Sequence, residues 1–316
     1  MMPPVHVMVA ILRDTSGRVL ITDRPPGKTQ AGRWEFPGGK LERDEAPEAG
    51  LRRELLEELG VVAGPMQRLI EIHHAYPDFS VRLDVREITH FGGSPHGREG
   101  QKLKWVSPEL LPQEDILEAD RPIIQALRLP DFCLVTPDPT NTSRDVFLDG
   151  LQASLRGGVN LVQFRAPAVS RSDYVSLARE VLQLCRRHHA RLLLNGAADL
   201  LDDVDADGIH LGSRQASRLN RRPVPLNAWL SVACHSLAEL RQAQRLGADL
   251  VLISPVAATA THPQHSPIGW TGFSGLAQRA NMPAFALGGM SKDDLMKAKA
   301  AGGRGIAAIR SLWCGS

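Results

Sequence analysis

Carboxylates at fixed intervals around one arginine are the residues of this chain best suited to chemistry. From Gly39 the sequence runs five residues to Glu45 and seven more to Arg53-Glu54-Leu55, then to Glu57-Glu58 and Gly60-Val61. Leu51, Leu55 and Leu59 recur at i, i+4 and i+8, the buried stripe of a helix. Glu54, Glu57 and Glu58 recur at i, i+3 and i+4 and share another face. Three like charges repel one another on a bare helix. A hard divalent cation reverses that sign, because Mg2+ takes carboxylate oxygens together with substrate phosphates. The alternative is a solvated acidic face, against which the glycines, the arginine and the apolar position all fall in register. Arg53 stands beside the carboxylates and can orient one by a bidentate pair, with Glu45 reaching back to it.

The elements that hold these groups follow from the same stretch. Asp44 or Glu45 is the expected helix cap, with Pro47 in the first turn. Gly60 is the expected C-terminal stop. Gly39 follows Phe36-Pro37-Gly38, a tight strand-to-loop turn that needs small residues.

This run is identical to the Nudix signature, and on it the front of the chain is identified as a member of the Nudix hydrolases. Such enzymes cleave a nucleoside diphosphate linked to another group. The family's α/β/α sandwich with a mixed sheet is the fold this implies for residues 1–129. Residues 5–128 further resemble the MutT type, the 8-oxo-dGTP diphosphatases, in "AILRDTSGRVLITDRP", "WEFPGGKLERDE", "AYPD", "GREGQ" and "RPIIQAL". The resemblance implies Mg2+, with Mn2+ as a substitute, held by Glu54, Glu57, Glu58 and Glu99, the last serving as metal ligand or base. It implies Arg24 and Phe36 around the base, with Tyr76 where the family often has another aromatic residue. The products would be a nucleoside monophosphate and pyrophosphate, and the role nucleotide-pool sanitation in DNA repair and replication.

One position departs from that pattern. The family usually places an asparagine before the last helix, where its amide reads the oxidised base; here stands Asp120, in Ala119-Asp120-Arg121-Pro122. The 8-oxo base carries a proton on N7 and an acceptor at O6. An ionised aspartate accepts from N7 but repels O6, whereas a protonated one serves both, and burial raises the pKa in that direction. The alternative role for Asp120 is a helix cap ahead of Pro122.

A length of 316 residues suggests two domains, and 43% hydrophobic residues suffice for packed cores. A net charge of +2 gives no electrostatic case for nucleic-acid binding, so the expected partner is a small-molecule nucleotide. No apolar run is long enough to span a bilayer, and Met1-Met2-Pro3-Pro4 lacks the regions of a signal peptide. Cys133, Cys185, Cys234 and Cys314 are scattered and read as reduced thiols of a cytoplasmic protein. His73 and His74 alternate faces of a predicted strand and so do not share a metal. His188-His189 close a helix, and Glu71 is a candidate to line the nucleotide cleft.

A boundary falls near Leu129-Pro130-Asp131 and opens a second domain, 130–316. Short apolar runs predict strands at 132–136, 159–165, 191–195, 208–211, 229–234, 249–255, 284–288 and 305–309, with amphipathic segments such as Asp173 to His188 and Leu237 to Leu246 between them. Eight such strands predict a (β/α)8 TIM barrel over a doubly wound open sheet.

"GGVNLVQFR", "DGIHLG", "ACHSLAEL", "GADLVLISPV" and "ALGGM" resemble the thiamine phosphate synthase/TenI superfamily over nearly all of 132–313. The synthase pattern of Arg-Glu-Lys, Asn-Asp and a further Mg2+ aspartate is replaced here by Arg165-Ala166-Pro167, Asn195-Gly196 and Gln215. A serine of the fifth strand is Ala233, and a lysine of the sixth loop is His262. Losing both carboxylates removes the means of binding Mg-pyrophosphate. The TenI branch, which shares the Asn-Gly and a His-Ser pair, implies a thiazole tautomerase with His235 moving the proton. Gly288, Gly289 and Arg310 are the expected phosphate site of the barrel. A barrel that only binds a phosphate ligand, or is purely structural, is the competing reading. With the barrel as fusion partner, a thiamine-pathway pyrophosphate is the competing Nudix substrate.

Overall fold

The structure is a computed structural model that describes residues 4–76, 78–259 and 266–315. His262 lies outside the described residues. Two compact units divide the chain, Met1–Arg128 and Leu129–Ser316.

In the first unit, strands β1 (Val5–Leu12), β2 (Val19–Asp23), β3 (Trp34–Glu35) and β4 (Gly38–Lys40) precede helix α1 (Pro47–Leu59). Strands β5 (Val62–Ala63), β6 (Gln67–Ala75), β7 (Ser80–Ile88), β8 (Phe91–Gly92) and β9 (Leu103–Val106) follow, and α2 (Arg121–Arg128) closes the unit. The main sheet has the order β4-β1-β7-β6 and is mixed: β1 pairs parallel to β7 and antiparallel to β4. A second sheet has the order β3-β2-β9.

The period of two in β1 decides the layering. Met8, Ala10 and Leu12 point one way, into a core with Leu51, Leu55 and Leu59 of α1. Val9 and Ile11 point the other way, into a core with Ile123, Ile124 and Leu127 of α2. The result is an α/β/α sandwich. Each fully buried leucine of α1 contributes about 1.5–3 kcal/mol relative to its exposed state.

Helix α1 ends as its sequence requires, with Gly60 at φ 70° donating back to Leu55 and Leu56 carbonyls. Its start differs. The N-cap is Ala46, without a side-chain cap bond. Asp44 lies at φ 61° and Pro47 has no N–H to be capped. Glu45 is occupied elsewhere, by the Glu42 backbone N–H at 3.0 Å and by Arg53.

The second unit is a closed parallel barrel. Its strands are β10 (Phe132–Val135), β11 (Leu161–Phe164), β12 (Arg191–Asn195), β13 (Gly208–Leu211), β14 (Trp229–Cys234), β15 (Leu250–Ile253), β16 (Ala284–Leu287) and β17 (Gly305–Ala308). Pairing of Phe132 with Ile306 and Leu134 with Ala308 closes it and rules out an open sheet. Side chains including Cys133, Val135, Leu193, Leu252 and Phe285 fill its interior. Five strands, β10, β11, β15, β16 and β17, are shorter than their apolar runs. Asp249 is drawn off the end of β15 by Arg222 and the Leu230 N–H, and the Arg165 N–H beyond β11 donates to Thr136 Oγ1 at 3.0 Å. The helix after β11 spans Arg171–Arg187, starting earlier than expected because Ser170 caps it by accepting from the Asp173 N–H. Among the described residues no helix is long and apolar enough to cross a membrane.

Candidate active site

The acidic cluster is built on α1, on the turn before it, and on the loop between β8 and β9. Arg53 is its hub. The guanidinium donates from Nε and Nη2 to the two oxygens of Glu45, each at 2.9 Å, and from Nη1 to Glu54 at 3.0 Å and Glu57 at 3.1 Å. This fork holds the Glu45 carboxyl below the usual carboxylate range. Glu54 packs against Gly39: a Cβ added at that glycine would lie 2.2 Å from the Glu54 carboxyl carbon. The small residue expected in the turn is therefore required by the carboxylate behind it.

The three helix glutamates do not stay together. Glu57 turns to Arg53, four residues back, and to solvent, with its side chain 58% exposed. Glu58 turns inward to an open cleft of about 260 Å³, lined among others by Thr22, Lys28, Glu35, Phe36 and Glu99. Burial first, then the charges of Glu54 and Glu99, push the Glu58 carboxyl up to about 7. Glu99 is exposed and pairs with Lys28 at 3.3 Å. Among the described residues, no group of three or more His, Cys, Asp or Glu side chains is arranged to hold a metal ion. The donor chemistry nonetheless fits a hard cation. The charges of Glu54 and Glu99 raise the proton affinity of Glu58, and a divalent ion among these carboxylates relieves that repulsion.

A second cluster involves Phe36, Arg24, Tyr76 and Asp120, the residues that the sequence assigns to the base. Asp120 ends a 3₁₀ turn (Glu118–Asp120) leading into α2 and is buried. Its carboxyl accepts from the Phe36 backbone N–H, and burial, followed by the charge of Glu35, pushes it up to about 7. Tyr76 is shifted upward by burial and by the charge of Asp120. Its ring stacks on Phe79 at 4.8 Å and meets His74 edge-on at 4.5 Å. Arg24 donates to Glu35 at 2.5 Å, and its buried Nε has no hydrogen-bond partner.

Glu35 and Lys28 are the residues that sequence reasoning missed. Glu35 precedes Phe36 in the same motif, and its burial raises its pKa despite Arg24. A carboxylate beside Phe36, the aromatic residue that the resemblance assigns to the base, was a usable signal. Glu71 does not line the cleft. Its carboxylate is consumed by Arg68 and Arg82 at 2.9 Å and by His73 at 3.0 Å.

In the barrel, His235 Nδ1 lies 2.7 Å from the Ser254 carbonyl oxygen. A carbonyl only accepts, so the proton sits on Nδ1 and Nε2 is the basic nitrogen. The His235 backbone N–H donates to Glu239 at 2.6 Å. His210 is buried, with Nδ1 2.7 Å from Ser231 Oγ. Burial, with the charge of His235 added, pushes it down to about 3. At the positions where a synthase would carry magnesium carboxylates stand Gly196 and Gln215, whose amide oxygen accepts from the Gly212 N–H at 3.0 Å. That donor set does not fit a magnesium-pyrophosphate complex.

Gly288 and Gly289 have φ of 99° and 70°, and a Cβ at either would lie within 3.0 Å of the Pro255–Ala258 segment. Packing alone therefore explains both glycines. Arg310 is exposed after β17.

Comparison with known proteins separates the two units. The family described as "Thiamine monophosphate synthase" matches residues 132–312, and "NUDIX domain" matches residues 8–126. A thiamine-phosphate synthase of Prochlorococcus marinus (strain MIT 9313) is 32% identical over 182 residues, covering 57% of this chain and 52% of that protein. One from Chlorobium phaeobacteroides (strain DSM 266 / SMG 266 / 2430) is 30% identical over 185 residues, covering 58% of this chain and 88% of that protein. The chain spans about half the length of the first of these curated relatives. Among solved structures, a MutT from work on Aliivibrio salmonicida and Vibrio cholerae is 35% identical, covering 40% of this chain and 97% of that chain, with a TM-score of 0.35. A thiamine phosphate pyrophosphorylase from Pyrococcus furiosus is 23% identical, covering 57% and 85%, with a TM-score of 0.47. With a NUDIX domain at residues 8–126 and a barrel at 132–312, the chain belongs to the thiamine monophosphate synthase (TMP-TENI) family and joins that barrel to a Nudix hydrolase domain.

Proposed function

We propose that the N-terminal domain hydrolyses 8-oxo-dGTP to 8-oxo-dGMP and pyrophosphate, with Mg2+ or Mn2+ at Glu54, Glu58 and Glu99 and Glu57 at the edge of the set. When bound, the cation supplies charge neutralisation at the phosphate oxygens and favours deprotonation of the attacking water. The protein's own groups do the rest. Arg53 fixes Glu54 and Glu57 through its fork. Glu58 faces the cleft, where a carboxylate can take a proton from the attacking water. Lys28, paired with Glu99 across the cleft, is placed to meet a phosphate.

The observation that carries the substrate assignment is the buried Asp120 bonded to the Phe36 N–H, with its carboxyl near 7. In the protonated form it donates to O6 and accepts from the N7 proton of the oxidised base. Ordinary guanine presents acceptors at both atoms, so the same carboxyl is left with one mismatched contact, and such mismatches are costly when buried. Phe36 and Tyr76 supply aromatic faces, and Arg24 Nε an unused donor.

The test is steady-state hydrolysis of 8-oxo-dGTP, dGTP and thiamine diphosphate with Mg2+. Preference for the oxidised nucleotide, with turnover lost in Glu58→Gln, supports the reading. Equal, poor rates on both guanine nucleotides overturn it. The fused barrel motivates the second reading, a thiamine-pathway pyrophosphate, which turnover of thiamine diphosphate alone would favour. For the barrel, the His235 tautomer favours proton transfer on a thiazole phosphate over a synthase reaction. His235→Ala should abolish any tautomerase rate, and absence of that rate in the wild type leaves a binding or structural module.

A further inference from the structure

We propose that Gln101 is a positioning residue that sets the spacing of Glu58 and Glu99 through their backbones, and so tunes metal affinity. The inference rests on the reading of those two glutamates as metal-site carboxylates.

Glu58 and Glu99 come from different elements. The first is on the last turn of α1, the second on the irregular stretch between β8 and β9. A loop of this kind has no ladder of its own to fix a side chain to within the few tenths of an ångström that a metal ligand needs. Gln101 supplies the link. Its amide nitrogen donates to the Glu58 carbonyl oxygen at 3.1 Å, and its amide oxygen accepts from the Glu99 backbone N–H at 2.8 Å. One buried side chain thus bridges the backbones of both carboxylates. The amide orientation follows from its partners. A carbonyl only accepts and a backbone N–H only donates, so a flipped amide would lose both bonds.

The surrounding loop is shaped around this bridge. A Cβ at Gly97 would lie 2.0 Å from the Gln101 carbonyl oxygen and 3.1 Å from its amide oxygen, so the chain folds back directly onto Gln101. Gly100 turns the chain at φ 84°, which L residues rarely adopt. The same loop supplies donors to the Glu58 and Leu59 carbonyls at the C-terminus of α1, and a second donor to Leu56. The Arg98 N–H donates to Glu58 at 2.9 Å, Arg98 Nη1 to Leu56 at 2.8 Å, and the His96 N–H to Leu59 at 3.1 Å. Of these contacts, only those of Gln101 reach Glu58 and Glu99 together. Partners one layer outside metal ligands commonly govern affinity by 10–100-fold.

The experiment uses the full chain. Mn2+ affinity is measured by the free-ion electron paramagnetic resonance signal, and hydrogen exchange of the Glu99 amide by NMR without metal. Steady-state hydrolysis of 8-oxo-dGTP gives kcat and KM. Gln101→Met keeps length and volume but makes neither bond. It should weaken Mn2+ binding and lower kcat by about 10–100-fold, leave KM within about twofold, and speed exchange at Glu99. Gln101→Glu keeps the acceptor for Glu99, loses the donor to Glu58, and should fall between wild type and Gln101→Met in Mn2+ affinity.

Wild-type Mn2+ affinity in Gln101→Met, in a background where Glu58→Gln and Glu99→Gln lose the ion, overturns this inference alone. Unchanged Mn2+ binding in Glu58→Gln and Glu99→Gln overturns the metal reading, and the inference with it. Should Gln101→Met fail to fold, Gln101→Glu and the wild-type exchange rate decide. A Glu99 amide exchanging as fast as open loop amides counts against the bridge.

Discussion

Arg53 grips Glu45, eight residues earlier in the chain, through two parallel bonds of 2.9 Å while its third nitrogen reaches Glu54 and Glu57. One side chain thereby ties the turn before α1 to the carboxylates on it. The planar fork is what permits this. A lysine carries its charge at a single point and cannot meet both oxygens of Glu45 while reaching two further carboxylates. Arg53→Lys should therefore lower kcat by about 10–100-fold and weaken Mn2+ binding, with little loss of helix content by circular dichroism. Wild-type turnover in that variant would remove Arg53 from the site.

Glu58→Gln and Glu57→Gln should each reduce hydrolysis, Glu58→Gln by roughly a thousandfold or more if it takes the proton from water. Glu58 also predicts a pH effect. Its carboxyl is raised to about 7, so protons compete with a cation below that value, and Mn2+ affinity should fall as pH drops through 7. In Glu58→Gln the affinity that remains should lose this dependence. Titration of Mn2+ between pH 6 and 8 checks it.

Asp120 gives the opposite trend for the base. The reading form is the protonated one, so binding of 8-oxo-dGMP without metal should weaken as pH rises through about 7. Asp120→Asn should flatten that profile, measurable by calorimetry. Stability follows the same sign. A carboxyl raised in the folded state binds its proton there between about pH 4 and 7 and releases it when unfolded. Its contribution is present in full below the unfolded value and lost as pH climbs through 7. The Tm of the N-terminal domain should drop across that window in the wild type and less in Asp120→Asn.

Gly60→Ala should cost about 1 kcal/mol in the N-terminal domain. The residue sits at φ 70°, and its Cβ would approach His96 at 2.8 Å and Arg98 at 2.9 Å. Because that loop also carries Glu99, Mn2+ affinity should decline with the Tm. A variant with unchanged Tm would show that the helix end relaxes freely.

Much of the architecture was legible because local pattern and global fold agree. Leu51, Leu55 and Leu59 mark the buried face of α1, and all three are fully buried. The eight apolar runs of the second half became eight barrel strands, five of them shorter than their runs, as where Asp249 and Arg165 found partners off the ladder. The helix cap was misassigned because Glu45, expected to reach back to Arg53, does so with both oxygens and also accepts from the Glu42 N–H, which leaves Ala46 at the N-cap.

By itself the sequence determined the chemistry on offer: which carboxylates recur on one helix, where glycine must turn the chain, and which barrel positions lack the acids for a magnesium-pyrophosphate complex. Those are properties of residue type and interval. Tertiary structure decided which of these groups face one another. It sent Glu57 to solvent and Glu58 to the cleft, buried Asp120 beside Phe36, and joined Glu58 to Glu99 through Gln101. The reason is physical. A carboxylate's pKa and partners depend on burial and on charges brought close by folding, and residues as far apart in the chain as Phe36 and Asp120 acquire a common environment only in the folded protein.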